Sequence, residues 1–258
     1  YVNKYKNIGF NFTGLLNNVE NSRYALTQGF TNYNAINAFA NYDFSIGKHD
    51  ISIMGGYNQE ESHKESQWSQ RTDVLLENLP SLSGSTGTAS VTDSFDEYAI
   101  RGLFYRVNYT YDGKYMFEAN GRYDGTSRFP KDSRFGFFPS FSAGWRISEE
   151  AFMKNTKSFL SNLKLRASWG SIGNQIILKP DNTPENYPYI PSMSPYLTEW
   201  LVDGQKTTTL NAPAMVSSSF SWEKVYTLDF GVDFGFFDNR FNGTFDWYRR
   251  DTKGMLAP

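Results

Sequence analysis

The chain of 258 residues contains no cysteine and two histidines, and its formal charge is -2. The absent cysteines exclude a disulfide scaffold and thiolate metal sites. Near-neutral charge removes the electrostatic case for nucleic acid, which asks for a basic face or stripe. No run of about 20 apolar residues occurs, so a helical membrane span is excluded. That absence leaves β-barrels untouched, because a spanning strand needs only about 9–11 residues. No signal-peptide pattern opens the sequence.

What is present is aromatic. Phe, Tyr and Trp make up 17% of the chain while the mean hydropathy is only -0.54. Many rings in a polar background suit strands with one greasy and one wet face. The patterning agrees, with a period of two almost throughout. In 114–129, Tyr115, Phe117, Ala119, Gly121 and Tyr123 alternate with Glu118, Asn120, Arg122, Asp124 and Thr126. Phe135, Phe137, Phe141, Ala143, Trp145 and Ile147 repeat the pattern. So do Leu163, Leu165, Ala167 and Trp169, and later Tyr226, Leu228, Phe230, Val232, Phe234 and Phe236. Leu103 to Tyr111, Phe241 to Trp247, Ile36 to Ile46 and Ile51 to Tyr57 add four more, and Ile8, Phe10 and Phe12 suggest another. The sum is about nine strands.

The connections are of two kinds. Tight turns fall at Gly47-Lys48-His49-Asp50, Asp112-Gly113 and Asp238-Asn239, with residue types that tolerate the φ > 0 of a two-residue hairpin. A longer connector, 149–162, reads as a short helix opened by Glu149-Glu150, with Phe152, Met153 and Phe159 on one side. Long polar stretches at 62–96 and 174–220 read as loops. Long and short connections alternate, broken only by the brief 127–131, as in outer-membrane barrels with short periplasmic turns and long extracellular loops.

A soluble β-sandwich also alternates, but its inward positions are usually Val, Ile and Leu. Here they are mostly Phe, Tyr, Trp and Gly, the residues of a membrane interface. The opposite face carries Arg106, Glu118, Arg122, Asp124, Arg146, Lys164, Arg166, Asp229, Asp233 and Asp246. A wet or plugged lumen accommodates such charges and a lipid face does not. The expected fold is all-β: an antiparallel transmembrane barrel segment spanning 1–258. Both ends read as cut, and open edges in lipid are not viable, so strands are expected on either side.

Several separated runs resemble the SusC/RagA family of TonB-dependent outer-membrane transporters. They are Arg122-Tyr123-Asp124-Gly125-Thr126-Ser127-Arg128-Phe129, Arg134-Phe135-Gly136-Phe137-Phe138-Pro139-Ser140, and Ala143-Gly144-Trp145-Arg146-Ile147-Ser148-Glu149-Glu150-Ala151-Phe152. Leu163-Lys164-Leu165-Arg166-Ala167-Ser168-Trp169-Gly170 and Gly173-Asn174-Gln175 follow, then Trp222-Glu223, Thr227-Leu228-Asp229-Phe230-Gly231, Phe245-Asp246-Trp247-Tyr248-Arg249-Arg250 and Thr252-Lys253-Gly254-Met255-Leu256. The dense part covers about 97–256; Gly47-Lys48-His49 is the best match before it. The resemblance implies a plugged barrel of about 22 strands. It also implies TonB contact through an N-terminal part outside this chain, a SusD-like surface lipoprotein, glycan or peptide cargo, and the outer membrane of a Bacteroidota-type Gram-negative bacterium. The plug is expected to be absent from this chain.

No catalytic set assembles. His49 lies in a tight turn and His63 at a polar loop mouth, and a metal site needs more converging ligands. Glu60-Glu61, Glu149-Glu150 and Asp229/Asp233 read as structural; Asp229 and Asp233 are expected to pair with lumen arginines. The glycines from Gly231 to Gly235 lack the strand-to-helix transition of a phosphate loop. Neither a cofactor nor a metal nor an enzymatic role is expected. The run 124–128 reads as a tight strand end, with Gly125 strained and Arg128 bonding carbonyls, or else as a ladder bracing a plug. Trp68 in the first long loop and Tyr187, Tyr189, Tyr196 and Trp200 in the second are the candidates for cargo or partner contact. The rival reading is a small outer-membrane or soluble β-protein acting as an adhesin or carbohydrate-binding module.

Overall fold

The computed structural model describes residues 2–7, 22–76, 78–179, 181–213, 215–216 and 220–255. The strand expected at Ile8, Phe10 and Phe12, and Leu256 of the family-like tail, lie outside them. The elements are β1 (Val2–Asn7), β2 (Arg23–Ile46), β3 (His49–Thr72), β4 (Ala89–Tyr111), β5 (Tyr115–Thr126), β6 (Phe135–Arg146), β7 (Leu160–Asn174), β8 (Pro195–Val202), β9 (Gln205–Leu210), β10 (Glu223–Phe236) and β11 (Phe241–Lys253). Nine of these form one sheet in the order β1-β2-β3-β4-β5-β6-β7-β10-β11, and β8 and β9 form a separate hairpin. Among the described residues β1 and β11 end that order and are not paired with each other. No helix of the described residues is long and apolar enough to cross a membrane.

The chain divides into two compact units. The larger comprises 35–60 and 99–258. Its antiparallel registers place like faces together. Phe117 pairs with Ala143, Ala143 with Ala167, Ala167 with Phe230, and Phe230 with Trp247, all on the apolar face. Rings stack across strands there: Tyr115 on Trp145 at 6.3 Å, Phe141 on Trp169 at 6.2 Å and Phe230 on Trp247 at 6.0 Å. Cross-strand aromatic pairs of this kind contribute roughly 0.2–1 kcal/mol each. These rings stay largely exposed in the sheet, which is tolerable where the surrounding medium is hydrocarbon.

The short turns lie where the sequence puts them. Gly47, Asp112, Gly113, Phe237, Asp238 and Asn239 all have φ > 0. The turns at Gly47 and at Asp112-Gly113 are tied to one another. Lys48 Nζ meets Asp112 Oδ1 at 3.0 Å, and Lys114 Nζ meets Asp112 Oδ2 at 3.2 Å. Glu150 accepts from the Tyr115 hydroxyl at 2.5 Å and from Trp145 Nε1 at 3.1 Å. The bonds from Lys48 and Lys114 hold the Asp112 carboxyl below its ordinary value, and those from Tyr115 and Trp145 do the same for Glu150. The connector expected as a helix at 149–162 differs: it is two 3-10 pieces, Ile147–Glu149 and Ala151–Thr156. With Phe152 and Phe159 exposed, no apolar stripe is buried to hold an α-helix together.

The smaller unit comprises 1–34 and 61–98. Here the expected loop at 62–96 is corrected. β3 continues to Thr72 and β4 starts at Ala89, leaving a connection of 73–88. Trp68 therefore sits in a strand and not in a loop. Ser62 to Thr72 carries polar side chains at nearly every position, Trp68 apart, so the alternation that marks a strand vanishes while the strand persists. The 73–88 connection is braced within itself and by its neighbours Arg71 and Ser22. Arg71 Nε donates to Gly87 O at 3.1 Å, Ser85 Oγ to Ser81 O at 2.8 Å, and Val74 N to Ser22 Oγ at 2.9 Å. His63 lies in this unit, more than about 11 residues past the turn that opens β3 and so beyond a spanning length. Its Nε2 meets Glu65 Oε1 at 2.9 Å and its Nδ1 Glu97 Oε2 at 3.4 Å.

Candidate functional site: the polar wall and its docked loop

The polar face of the larger unit is where the predicted lumen charges fall, and it pairs many of them. Arg166 donates from Nε and a terminal nitrogen to both oxygens of Asp233, each at 2.9 Å, and to Asp246 Oδ1 at 2.8 Å. Arg122 makes the same fork with Asp124 at 3.0 and 2.8 Å and lies over the Phe104 ring. Forked guanidinium–carboxylate pairs fix geometry as well as charge. Arg106 donates to Asn120, which donates to Glu118. Lys164 and Asp229 line a recess of about 380 Å³ with Glu118 and Arg166. Of the two aspartates expected to pair with arginines, Asp233 does; Asp229 makes no ion pair among the described residues, and neither does Arg146.

A second recess of about 550 Å³ is lined by Met54, Phe104, Arg106, Arg122, Phe138 and Ile172. It joins apolar surface to guanidinium groups. Such a wall can hold an amphipathic chain segment, with rings and aliphatic carbons against its apolar part and carbonyls or carboxylates against the arginines.

Beyond it the long 175–222 connection folds back onto the sheet. Phe129, Phe138 and Trp222 form a buried cluster, with Ile177 and Phe220 against it. Trp222 meets Phe129 edge-on at 5.5 Å and Phe138 at 5.0 Å. Its Nε1 donates to Arg134 O at 3.0 Å. Two bare positions make room. A Cβ on Gly136 would lie 2.5 Å from the Phe138 ring, and one on Gly173 2.2 Å from it. The Phe138 ring thus lies flat across β6 and β7, where any larger residue would lift it. Around this core Arg128, 6% exposed, donates from Nε to Asn186 Oδ1 at 2.7 Å. The Tyr189 hydroxyl donates to Ser127 O at 3.3 Å.

The strand-end reading of 124–128 is thereby revised. Gly125 is not strained, because positive φ is confined to other glycines. It is bare because the Phe135 ring lies over it, 2.4 Å from where a Cβ would sit. Arg128 bonds a side-chain amide of the long loop.

The five aromatics proposed for contact separate. Tyr187 and Tyr189 are half-buried in the docked segment. Tyr196 and Trp200 stand on the β8–β9 hairpin, where Trp200 is 62% exposed beside exposed Leu197 and Leu201. Asp203 and Gly204, both at φ > 0, close that hairpin, and the buried Thr198 braces it from Oγ1 to Trp200 O at 2.9 Å. Trp68 belongs to the other unit. Residue-by-residue reading missed the Phe129–Phe138–Trp222 cluster and Asn186. The one signal for the cluster was Gly between rings in Arg134-Phe135-Gly136-Phe137-Phe138; nothing local marks Asn186.

Comparison with known proteins agrees with this geometry. The family described as TonB dependent receptor-like, beta-barrel, matches residues 1–258. TonB-dependent receptor SusC of Bacteroides thetaiotaomicron is 33% identical over 224 residues, covering 85% of this chain and 21% of that protein. TonB-dependent receptor P3 of Formosa agariphila is 29% identical over 229 residues, with the same two coverages. The chain thus spans about a fifth of the length of these curated relatives. Among solved structures, that of the RagAB peptide transporter shares the fold with a TM-score of 0.81 at 23% identity, over 99% of this chain and 27% of its own. A paired polar wall, an aromatic outer face and a family match over the full length converge: the chain belongs to the TonB-dependent receptor-like β-barrel family.

Proposed function

We propose that the protein of which this chain forms barrel wall imports a large nutrient, glycan or peptide, across the outer membrane of a Bacteroidota-type bacterium. A SusD-like surface lipoprotein captures the cargo, and energy relayed by TonB to a plug outside this chain opens the path. The observation that carries the reading is the long loop docked on the polar wall by Arg128, Phe129, Phe138 and Trp222, with the β8–β9 hairpin left projecting. A docked base with an apolar tip suits a loop that must hold a rigid mouth and present a contact surface. In this reading 73–88 and 175–222 are extracellular, the forked ion pairs seat the plug, and no covalent chemistry occurs on the wall. The RagAB peptide importer in its closed-closed state, 25% identical, supports the peptide class, and the glycan class follows from the resemblance to the SusC/RagA family.

The test is uptake by cells. A strain lacking the whole gene, and one lacking its TonB, receive fluorescent maltooligosaccharides and a fluorescent peptide pool. Loss of internalisation of one cargo class in both strains, with surface binding kept in the second, is expected. Surface binding without uptake in the parent strain would instead favour an adhesin.

A further inference from the structure

At the long-loop end of the apolar face, three cations line one recess of about 520 Å³: Arg101, Lys131 and Arg134, with Gln59, Ser127 and Phe135. Arg101 shares its strand face with Leu103 and Tyr105, so it points to the side that meets lipid. Its guanidinium lies 5.3 Å from the centre of the Phe135 ring, and Phe135 stacks on Tyr123 at 5.3 Å. The bare Gly125 beneath lets that ring lie flat and carry the cation. Arg134 spends Nε on Phe129 O at 3.1 Å, leaving its terminal nitrogens. Lys131 is exposed on the 3-10 turn Lys131–Ser133. Among the described residues none of the three forms an ion pair with a carboxylate, although Asp132 lies on the same turn. On the polar wall, by contrast, Arg122 and Arg166 are spent on aspartates. Three unneutralised cations sharing a recess call for an anion.

Position says which anion. β5 has 12 residues from Tyr115 to Thr126, about one tilted membrane span. Gly125 and Thr126, which line the recess, therefore lie one membrane thickness from the short turns. The Tyr123–Phe135 stack below marks the interface where lipid headgroups sit. We infer that Arg101, Lys131 and Arg134 form a site for the phosphate groups of a lipid headgroup, with the acyl chains lying along Tyr123 and Phe137. Guanidinium and ammonium groups bind phosphate by charge-assisted hydrogen bonds. This inference rests on the membrane-barrel fold and not on nutrient import.

The test uses the full-length protein, purified in a mild detergent and followed by native mass spectrometry. The probes are bis-phosphorylated lipid A, its dephosphorylated form and inorganic phosphate. Wild type should retain the phosphorylated lipid over the dephosphorylated one. R101Q and K131Q should each lower retention about five-fold, and the double variant about twenty-five-fold. K131Q changes only an exposed turn, and the heat-shift of the folded barrel in electrophoresis checks each variant. Equal retention of the two lipids, or equal retention by the double variant, would overturn the site. Stripping of the lipid by excess inorganic phosphate would overturn the lipid as its ligand, leaving a free-phosphate site.

Discussion

Arg128 and Asn186 are separated by 58 positions, yet Nε of one donates to Oδ1 of the other at 2.7 Å in a buried setting. Through that bond the connection between β5 and β6 holds the base of a loop that would otherwise be a long polar tether. An amide oxygen accepting from a buried guanidinium satisfies an N–H that would be costly to leave unbonded. Arg128→Ala or Asn186→Ala should therefore free the loop without unfolding the sheet. Hydrogen exchange across 175–222 should accelerate by a factor equivalent to about 1.5–3 kcal/mol, while exchange in β10 and β11 stays as in wild type. Unchanged protection of the loop would show that the aromatic cluster alone docks it.

Gly173 tests the cluster from below. Its absent Cβ is what admits the Phe138 ring. Gly173→Ala should cost about 1–3 kcal/mol by overpacking, read as a lower unfolding temperature of the full barrel. Adding Phe138→Leu should recover part of the loss, because a smaller side chain vacates the space. Absence of any such recovery would place the strain in the β7 backbone instead.

Trp200 tests the tip. It is largely exposed and touches no part of the buried cluster. Trp200→Ala should leave stability within about 0.5 kcal/mol of wild type. If the hairpin is a contact hot spot, binding of the surface lipoprotein or cargo should weaken by at least about 2 kcal/mol, some thirtyfold. Titration of the purified partner by calorimetry reads this, and unaltered affinity would remove the hairpin from the interface.

His63 carries a pH prediction. Hydrogen bonds to Glu65 first, then to Glu97, raise its pKa above the ordinary imidazole value of about 6.5. Because the folded value is raised, the stabilising pairing is fully present below the ordinary value. It is lost as pH rises through the folded one. Nuclear magnetic resonance of histidine-labelled protein should place the His63 midpoint above about 6.5, and Glu65→Gln should lower it. A midpoint insensitive to Glu65→Gln would contradict the pairing.

Much of the wall was legible because a strand between lipid and lumen must alternate. Phe117 through Tyr123 and Tyr226 through Phe236 announce their faces with no help from the fold, and Asp112-Gly113 announces its turn. Legibility ended where that constraint ended. Ser62 to Thr72 is strand, but its nearly all-polar run leaves no alternation to read. The connector at 149–162 carried a helix-like start, yet with Phe152 and Phe159 exposed it settled into 3-10 turns. Gly125 reads as a strained point, whereas it, like Gly136 and Gly173, makes room for a neighbouring ring. That purpose exists only once Phe135 and Phe138 are placed. Asn186 is one polar residue in a polar loop, and no local pattern reveals its bond to Arg128.

The assignment of faces underlies everything above, and one measurement addresses it directly. Spin labels placed one at a time along β5, at 116 to 123 in a cysteine-free full-length protein in lipid bilayers, report collision with oxygen, which concentrates in hydrocarbon. Accessibility to oxygen should be high at 117, 119, 121 and 123 and low at 116, 118, 120 and 122. A water-soluble nickel complex should never reach the first set. Reversed alternation, or nickel access at 117 and 119, would contradict a lipid-facing aromatic surface and with it the account of this chain as barrel wall.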